Sequence, residues 1–269
     1  MPHASPSHDS AKPRTVEQKS GFAGAILKHK MWATVGTVVG VVALIVAYVQ
    51  VQPDDKPAAL ELANVSFDNP TPIEAKAGGS DMDEADWERT TAPATPIDIS
   101  LKNNGGMPAH IVRIETKVLD AKTISCSRQG GGAMVSAYYG VTIPYDPFME
   151  TLTNDDISTP VDYTVKAGSV DRMVITIGPE DTGNGRPIAF AVALRLIQEQ
   201  GDPIDVGPLA VSQPEGVEQE LRGAEMMNYA TSEPQCMNEQ AAALEHIFAE
   251  TNVQSPEMVR LRDTFKPVT

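Results

Sequence analysis

The chain has 269 residues but only two cysteines, five histidines and 5% aromatic side chains. Each shortage removes a class of chemistry. Cys126 and Cys236 form no C-x-x-C motif, so a dithiol redox centre and a cysteine-rich zinc site lack their ligands. Only His110 and His246 lie beyond residue 30, and no His-Glu-x-x-His occurs, so a zinc-peptidase helix is absent. There is no Gly-x-Ser-x-Gly elbow, no Ser-x-x-Lys and no phosphate-cradling glycine loop after a strand. Basic residues are also few: 21 Lys and Arg stand against 36 Asp and Glu, a net charge of −15. Such a surface repels nucleic acid and anionic lipid, so no nucleic-acid partner is expected.

One long uncharged run is present. Met31 to Val51 is MWATVGTVVGVVALIVAYVQV. As a helix it would extend about 31 Å, close to a bilayer core of about 30 Å. The expectation is a single transmembrane helix over residues 31–51, and hence the lipid bilayer as a partner. The leader, residues 1–30, carries Lys12, Arg14, Lys19, Lys28 and Lys30 against Asp9 and Glu17, a net +3, leaving −18 on residues 31–269. Positive-inside logic then places the leader, largely disordered, in the cytoplasm and residues 52–269 outside, giving a single-pass plasma-membrane protein. Lys28, Lys30, Trp32 and Tyr48 would anchor the span at the two interfaces. Gly36, Gly40, Ala43 and Ala47 share one helix face, where small residues permit a homodimer; small residues are also common in membrane helices generally.

Past a short stalk, residues 52–58, the pattern changes to period two. Ile97-Asp98-Ile99-Ser100-Leu101-Lys102 alternates cleanly and runs into Asn103-Asn104-Gly105-Gly106, a turn signal. Val112, Ile114 and Val118 follow as inward positions. Val161, Tyr163 and Val165 alternate, as do Met173, Ile175 and Ile177. Phe190, Val192, Leu194 and Leu196 make the longest apolar face. Leu60 and Leu62, then Val65 and Phe67, change phase at Ala63-Asn64, which predicts a bulge. Ile204 to Val211 is a further strand, broken by Gly207-Pro208, and Ala133 to Ile143 another. About eight short strands without intervening long helices predict an antiparallel β-sandwich over residues 59–212.

The stretch Ile97–Leu119 (IDISLKNNGGMPAHIVRIETKVL) resembles the strand–turn–strand hairpins of bacterial immunoglobulin-like ectodomains. The resemblance covers roughly 25 residues and implies a fold class alone. The Cys–Trp–Cys arrangement of antibody domains is missing, so no functional residue is carried over.

Two segments, 72–96 and 121–160, are expected to be long loops, the places on a sandwich where binding tends to reside. The first holds Asp81, Asp83, Glu84 and Asp86, which would suit Ca²⁺ as a flexible carboxylate group. The spacing fails as an EF-hand, and the alternative is a solvated acidic loop. No other cofactor is expected. The second segment holds Tyr138, Tyr139 and Tyr145.

The tail, residues 213–269, has helical periodicity. Ser232 and Gln235 have capping-box spacing ahead of a stripe of Met237, Ala241, Leu244 and Phe248. Ser255-Pro256 opens a shorter helix with Met258, Leu261 and Phe265 on one face. These stripes dock either on the sandwich or on another protein. A disulfide between Cys126 and Cys236 would tie the tail to the strands; two free thiols are the alternative.

With no catalytic constellation, the expected function is a non-enzymatic, membrane-anchored binding module for an extracytoplasmic protein or glycan. An accessory subunit of a larger membrane or envelope assembly is the alternative. A hydrolase using Glu150, Asp155 and Asp156 is the third reading.

Overall fold

The computed structural model describes residues 56–79, 83, 86–126, 133–146, 151–152, 156–180 and 185–268. They belong to a compact unit, Pro53–Thr269; the other unit, Met1–Gln52, lies outside them. The strands are β1 (Leu60–Phe67), β2 (Thr71–Gly79), β3 (Glu88–Ala94), β4 (Ile97–Asn103), β5 (Ala109–Thr123), β6 (Ala133–Ala137), β7 (Val141–Ile143) and β8 (Tyr145–Asp146). They continue as β9 (Thr151–Leu152), β10 (Asp156–Val165), β11 (Val170–Ile175), β12 (Ile177–Pro179), β13 (Ile188–Gln198), β14 (Ile204–Val211) and β15 (Val253–Gln254). The helices are α1 (Pro214–Met227), α2 (Tyr229–Ser232), α3 (Pro234–Ala249) and α4 (Pro256–Thr264).

This corrects the expected architecture. The described protein is mostly β-sheet with four short helices, none long and apolar enough to cross a membrane. The longest, α3, has 16 residues with buried positions along one stripe only, whereas a span needs about 20 apolar residues. The single-pass plasma-membrane placement therefore has no helix to carry it among the described residues. The run 31–51, with Gly36, Gly40, Ala43, Ala47, Trp32 and Tyr48, lies outside those residues, as do Lys28 and Lys30.

Two sheets share the main core. One has the order β1-β4-β11 and the other β10-β5-β13-β14-β15. Ile97, Ile99, Leu101, Met173 and Ile175 of the first meet Ile111, Ile114, Val118, Phe190, Val192 and Leu194 of the second. Strand β13 shows why. Its sequence IAFAVALRLIQ alternates bulky and small residues. Ile188, Phe190, Val192, Leu194 and Leu196 face the opposing sheet, while Ala189 and Ala191 face the helices. Small side chains there let Val217, Leu244, Ile247, Met258 and Phe265 pack close to the strand, so the helical tail docks on its own sheet.

Local chemistry sets the details. Ala63 is the extra residue in β1, since Leu62 and Asn64 oppose consecutive residues of β4. Val112 has no partner on either neighbouring strand and is bulged outward, so Ile111 rather than Val112 joins Ile114 inside. Ser255 caps α4, its hydroxyl accepting from the Met258 amide at 3.3 Å. The expected Ser232 cap does not form. The Ser232 hydroxyl instead donates to the Met227 and Asn228 carbonyls, and Glu233 occupies the cap position without a side-chain bond to the helix's first amides.

The segment Asn103–Gly106 is not the hairpin turn its sequence predicts. β4 and β5 lie in different sheets, so the chain arches between them. Asn103 is fully buried and organises the arch. Its amide group donates to the Met107 and Val165 carbonyls at 2.9 and 3.1 Å, and its carbonyl accepts from the Ala59 and Gly105 amides. Gly105 runs so close to Pro57 and Ala58 that a Cβ would collide with their backbone. That internal hydrogen-bonded strap takes the place of the turn that Asn103-Asn104-Gly105-Gly106 predicts.

Candidate functional site

A third sheet, of order β3-β2-β6, joins two strands from the segment 72–96 expected to be a loop with β6, which falls in the strand expected from Ala133 to Ile143. Its inner face is made of Ala75, Ala92, Ala94, Ala137 and Tyr139, with Ile73 and Val135 at its margin. Tyr139 fixes this face: its ring lies where a Cβ on Gly178 of β12 would be, so the glycine admits it. Burial, with Glu215 nearby, pushes the Tyr139 phenol above its ordinary range and keeps it neutral.

The outer face is polar and ordered by register. Lys76 of β2 stands opposite Arg89 on one side and Ser136 on the other. Two residues away, Glu74 stands opposite Thr91, and the Tyr138 amide donates to the Glu74 carbonyl at 2.9 Å. Period two puts these six side chains on one surface: Arg89, Lys76 and Ser136 in one row, Thr91, Glu74 and Tyr138 in the next. Glu74, Lys76, Arg89, Thr91 and Tyr138 line a shallow groove of about 530 Å³. Tyr138 is 53% exposed, large for an aromatic side chain on a sheet.

Lys76 and Arg89 are the unusual part of the array. Like charges directly opposite one another destabilise a sheet. Among the described residues neither joins an ion pair, in a chain with a net charge of −15.

Two other grooves differ. One of about 610 Å³ on the outer face of the five-stranded sheet is lined by Glu115, Lys117, Asp156, Arg195 and Asp205. Its arginine is already paired, with Arg195 to Asp205 at 2.8 Å, and beside it Arg113 pairs with Glu115 at 2.9 Å. Another of about 420 Å³ opens between β10 and β11 beside Met173 and Tyr163, whose hydroxyl donates to the Arg172 carbonyl at 2.7 Å.

The residues expected from sequence are mostly dispersed. Asp83 and Asp86 lie on the β2–β3 connection, joined by a bond from the Asp86 amide to the Asp83 carbonyl at 2.9 Å. Asp81 and Glu84 lie outside the described residues, among which no three potential ligands gather to hold a metal ion. His110 contacts Thr164 and His246 contacts Asp120, each at 3.0 Å and far from the array. Asp156 starts β10, and Glu150 and Asp155 lie outside the described residues. Cys126 and Cys236 are disulfide-bonded. Beside them Glu220 of α1 is buried, its carboxylate accepting from the Ser125 hydroxyl and the Cys126 amide at 2.8 and 3.0 Å. Burial raises its pKa, and those two hydrogen bonds with Arg186 oppose the rise.

Of the array, the sequence reading singled out Tyr138 alone. Glu74, Lys76, Arg89 and Thr91 were hidden in a supposed loop, although Ile73-Glu74-Ala75-Lys76-Ala77 does alternate, and Ser136 lies on the strand expected from Ala133 to Ile143. No family model matches this chain, and neither does any curated protein or solved structure.

Proposed function

We propose that this protein is a non-catalytic binding module whose ligand seats on the outer face of the three-stranded sheet β3-β2-β6. The observation that carries this reading is the facing pair Lys76 and Arg89, which forms no ion pair among the described residues and lies beside an exposed Tyr138. A groove of about 530 Å³ falls within the range of small-ligand sites. The array carries one carboxylate, Glu74, and no histidine, cysteine or second acid. Acid–base hydrolysis of a glycoside needs two carboxyl groups, so this surface is suited to holding a ligand rather than cleaving it.

The test is an amide chemical-shift map of the isotopically labelled full-length chain, titrated with a panel of oligosaccharides and peptides. Shifts concentrated on residues 73–77, 88–92 and 134–139 are expected for at least one class. A panel that moves other surfaces and leaves these residues unmoved would overturn the proposal.

A further inference from the structure

We infer that the ligand of this face is an acidic saccharide, held by its carboxylate on Arg89 and Lys76 and by its ring on Tyr138. The inference rests on the binding reading above and assigns the ligand's chemical class. Three features of the array converge on it.

The first is charge. Facing cations on neighbouring strands repel, and the surrounding protein is anionic overall, yet among the described residues neither cation is neutralised by an ion pair. A carboxylate placed between them removes the repulsion, and the planar guanidinium of Arg89 can grip it through two parallel hydrogen bonds.

The second feature is the ring. Tyr138 is exposed at the end of the neighbouring row. An aromatic face carries partial negative charge and attracts the weakly positive C–H edge of an apolar surface. A pyranose offers such a C–H face, and a flat sheet surface lets it lie parallel to the phenol. An acidic peptide would engage the two cations without needing this ring.

The third is the set of neutral and acidic acceptors. Glu74 sits between Thr91 and Tyr138, and Ser136 sits beside Lys76. Thr91 offers a donor and acceptors, Ser136 offers acceptors while its hydroxyl donates to the Glu180 carbonyl at 3.3 Å, and Glu74 accepts only. Sugar hydroxyls, which donate and accept, can bond to all three. Glu74 would repel a densely anionic ligand, which favours one carboxylate per bound ring over a polyanion tract.

The experiment compares three probes on the full-length chain: trigalacturonate, the neutral maltotriose and a triglutamate peptide. Trigalacturonate is expected to shift the amides of β2, β3 and β6 and to bind at least about tenfold more tightly than either comparator. Tyr138→Ala should weaken it about tenfold, and Tyr138→Phe should retain most of the affinity because the ring remains. Lys76→Ala with Arg89→Ala should abolish the preference over maltotriose, and added salt should weaken the wild-type complex. Each variant is checked first for a melting temperature no lower than the wild type's. Equal binding of triglutamate, indifference to Tyr138→Ala, or a preference for maltotriose overturns the acidic-saccharide assignment while the face remains a binding site. Trigalacturonate shifts that fall elsewhere, or none at millimolar probe, also overturn it. The binding reading itself falls only if the broader panel leaves the array unmoved as well.

Discussion

Two sheets of this protein present charged outer faces, and they treat the charges in opposite ways. On the five-stranded sheet Arg113 pairs with Glu115 and Arg195 with Asp205, at 2.9 and 2.8 Å. The first pair lies along β5 and the second crosses from β13 to β14, and both serve the sheet itself. On the three-stranded sheet Lys76 faces Arg89, and among the described residues neither forms an ion pair. The inner faces differ in parallel. Behind the paired charges stand Phe190, Val192 and Leu194, fully or nearly fully buried. Behind the unpaired ones stand alanines and Tyr139. The larger sheet is a scaffold whose outer arginines are paired with acids, and on the smaller one two cations face each other.

Removing core volume gives the largest test of that contrast. Phe190→Ala should cost about 3–5 kcal/mol, because the ring is fully buried and packs edge-on against Tyr145. Tyr138→Ala should stay within about 0.5 kcal/mol. Denaturant melts of the two variants check this, and similar losses would erase the distinction between scaffold and site.

Next in size is the disulfide. Cys126 follows β5 and Cys236 sits in the first turn of α3, 110 residues later. It fastens the helical tail to the strand end. Replacing both cysteines by serine should cost about 2–5 kcal/mol. Intact mass with and without reductant should differ by two hydrogens, and melting should occur at a lower temperature when reduced. The polar face of the small sheet contributes nothing to this bond, so its ligand shifts should survive reduction at temperatures where the fold persists.

A smaller, pH-dependent effect belongs to Glu220. Its folded pKa is raised, chiefly by burial. The folded state therefore holds this proton more tightly than the unfolded chain. The stabilisation is fully present below the ordinary carboxyl pKa of 4.5 and is lost as pH rises through the folded value. Glu220→Gln removes the titration and should flatten that part of the stability profile. Melts at several pH values from 4 upward measure it, and an unchanged slope would show that another group dominates.

How much of this was legible in the sequence depended on side-chain size. The alternation of Phe190, Val192, Leu194 and Leu196 announced β13, and the phase change at Ala63-Asn64 announced the bulge in β1. The outward bulge of Val112 was invisible, because Ile111 and Val112 are both apolar and only the register with two partner strands tells them apart. The small sheet escaped because its buried face is alanine, whose contrast with Thr and Ser is weak. The facing of Lys76 and Arg89 is a pairing across a 13-residue separation, which no local period encodes. Asn103-Asn104-Gly105-Gly106 misled in the other direction. It has turn chemistry, but a buried Asn103 side chain ties it to Ala59 and Val165 and turns the chain into the opposite sheet.

The smallest expected effect is also the sharpest, because its sign separates the two sheets. Arg89→Glu places an acid opposite Lys76, replacing a repulsive cross-strand pair by an attractive one. It should stabilise the protein by about 0.2–1 kcal/mol while removing acidic-ligand binding. Arg195→Glu does the reverse on the five-stranded sheet, setting an acid beside Asp205 and Glu115, and should lower the melting temperature without touching the ligand. Residues kept against the interest of stability are those held for something outside the fold. If Arg89→Glu proved destabilising, Lys76 and Arg89 would already be accommodated by the sheet, and the reason to expect an anionic ligand there would disappear.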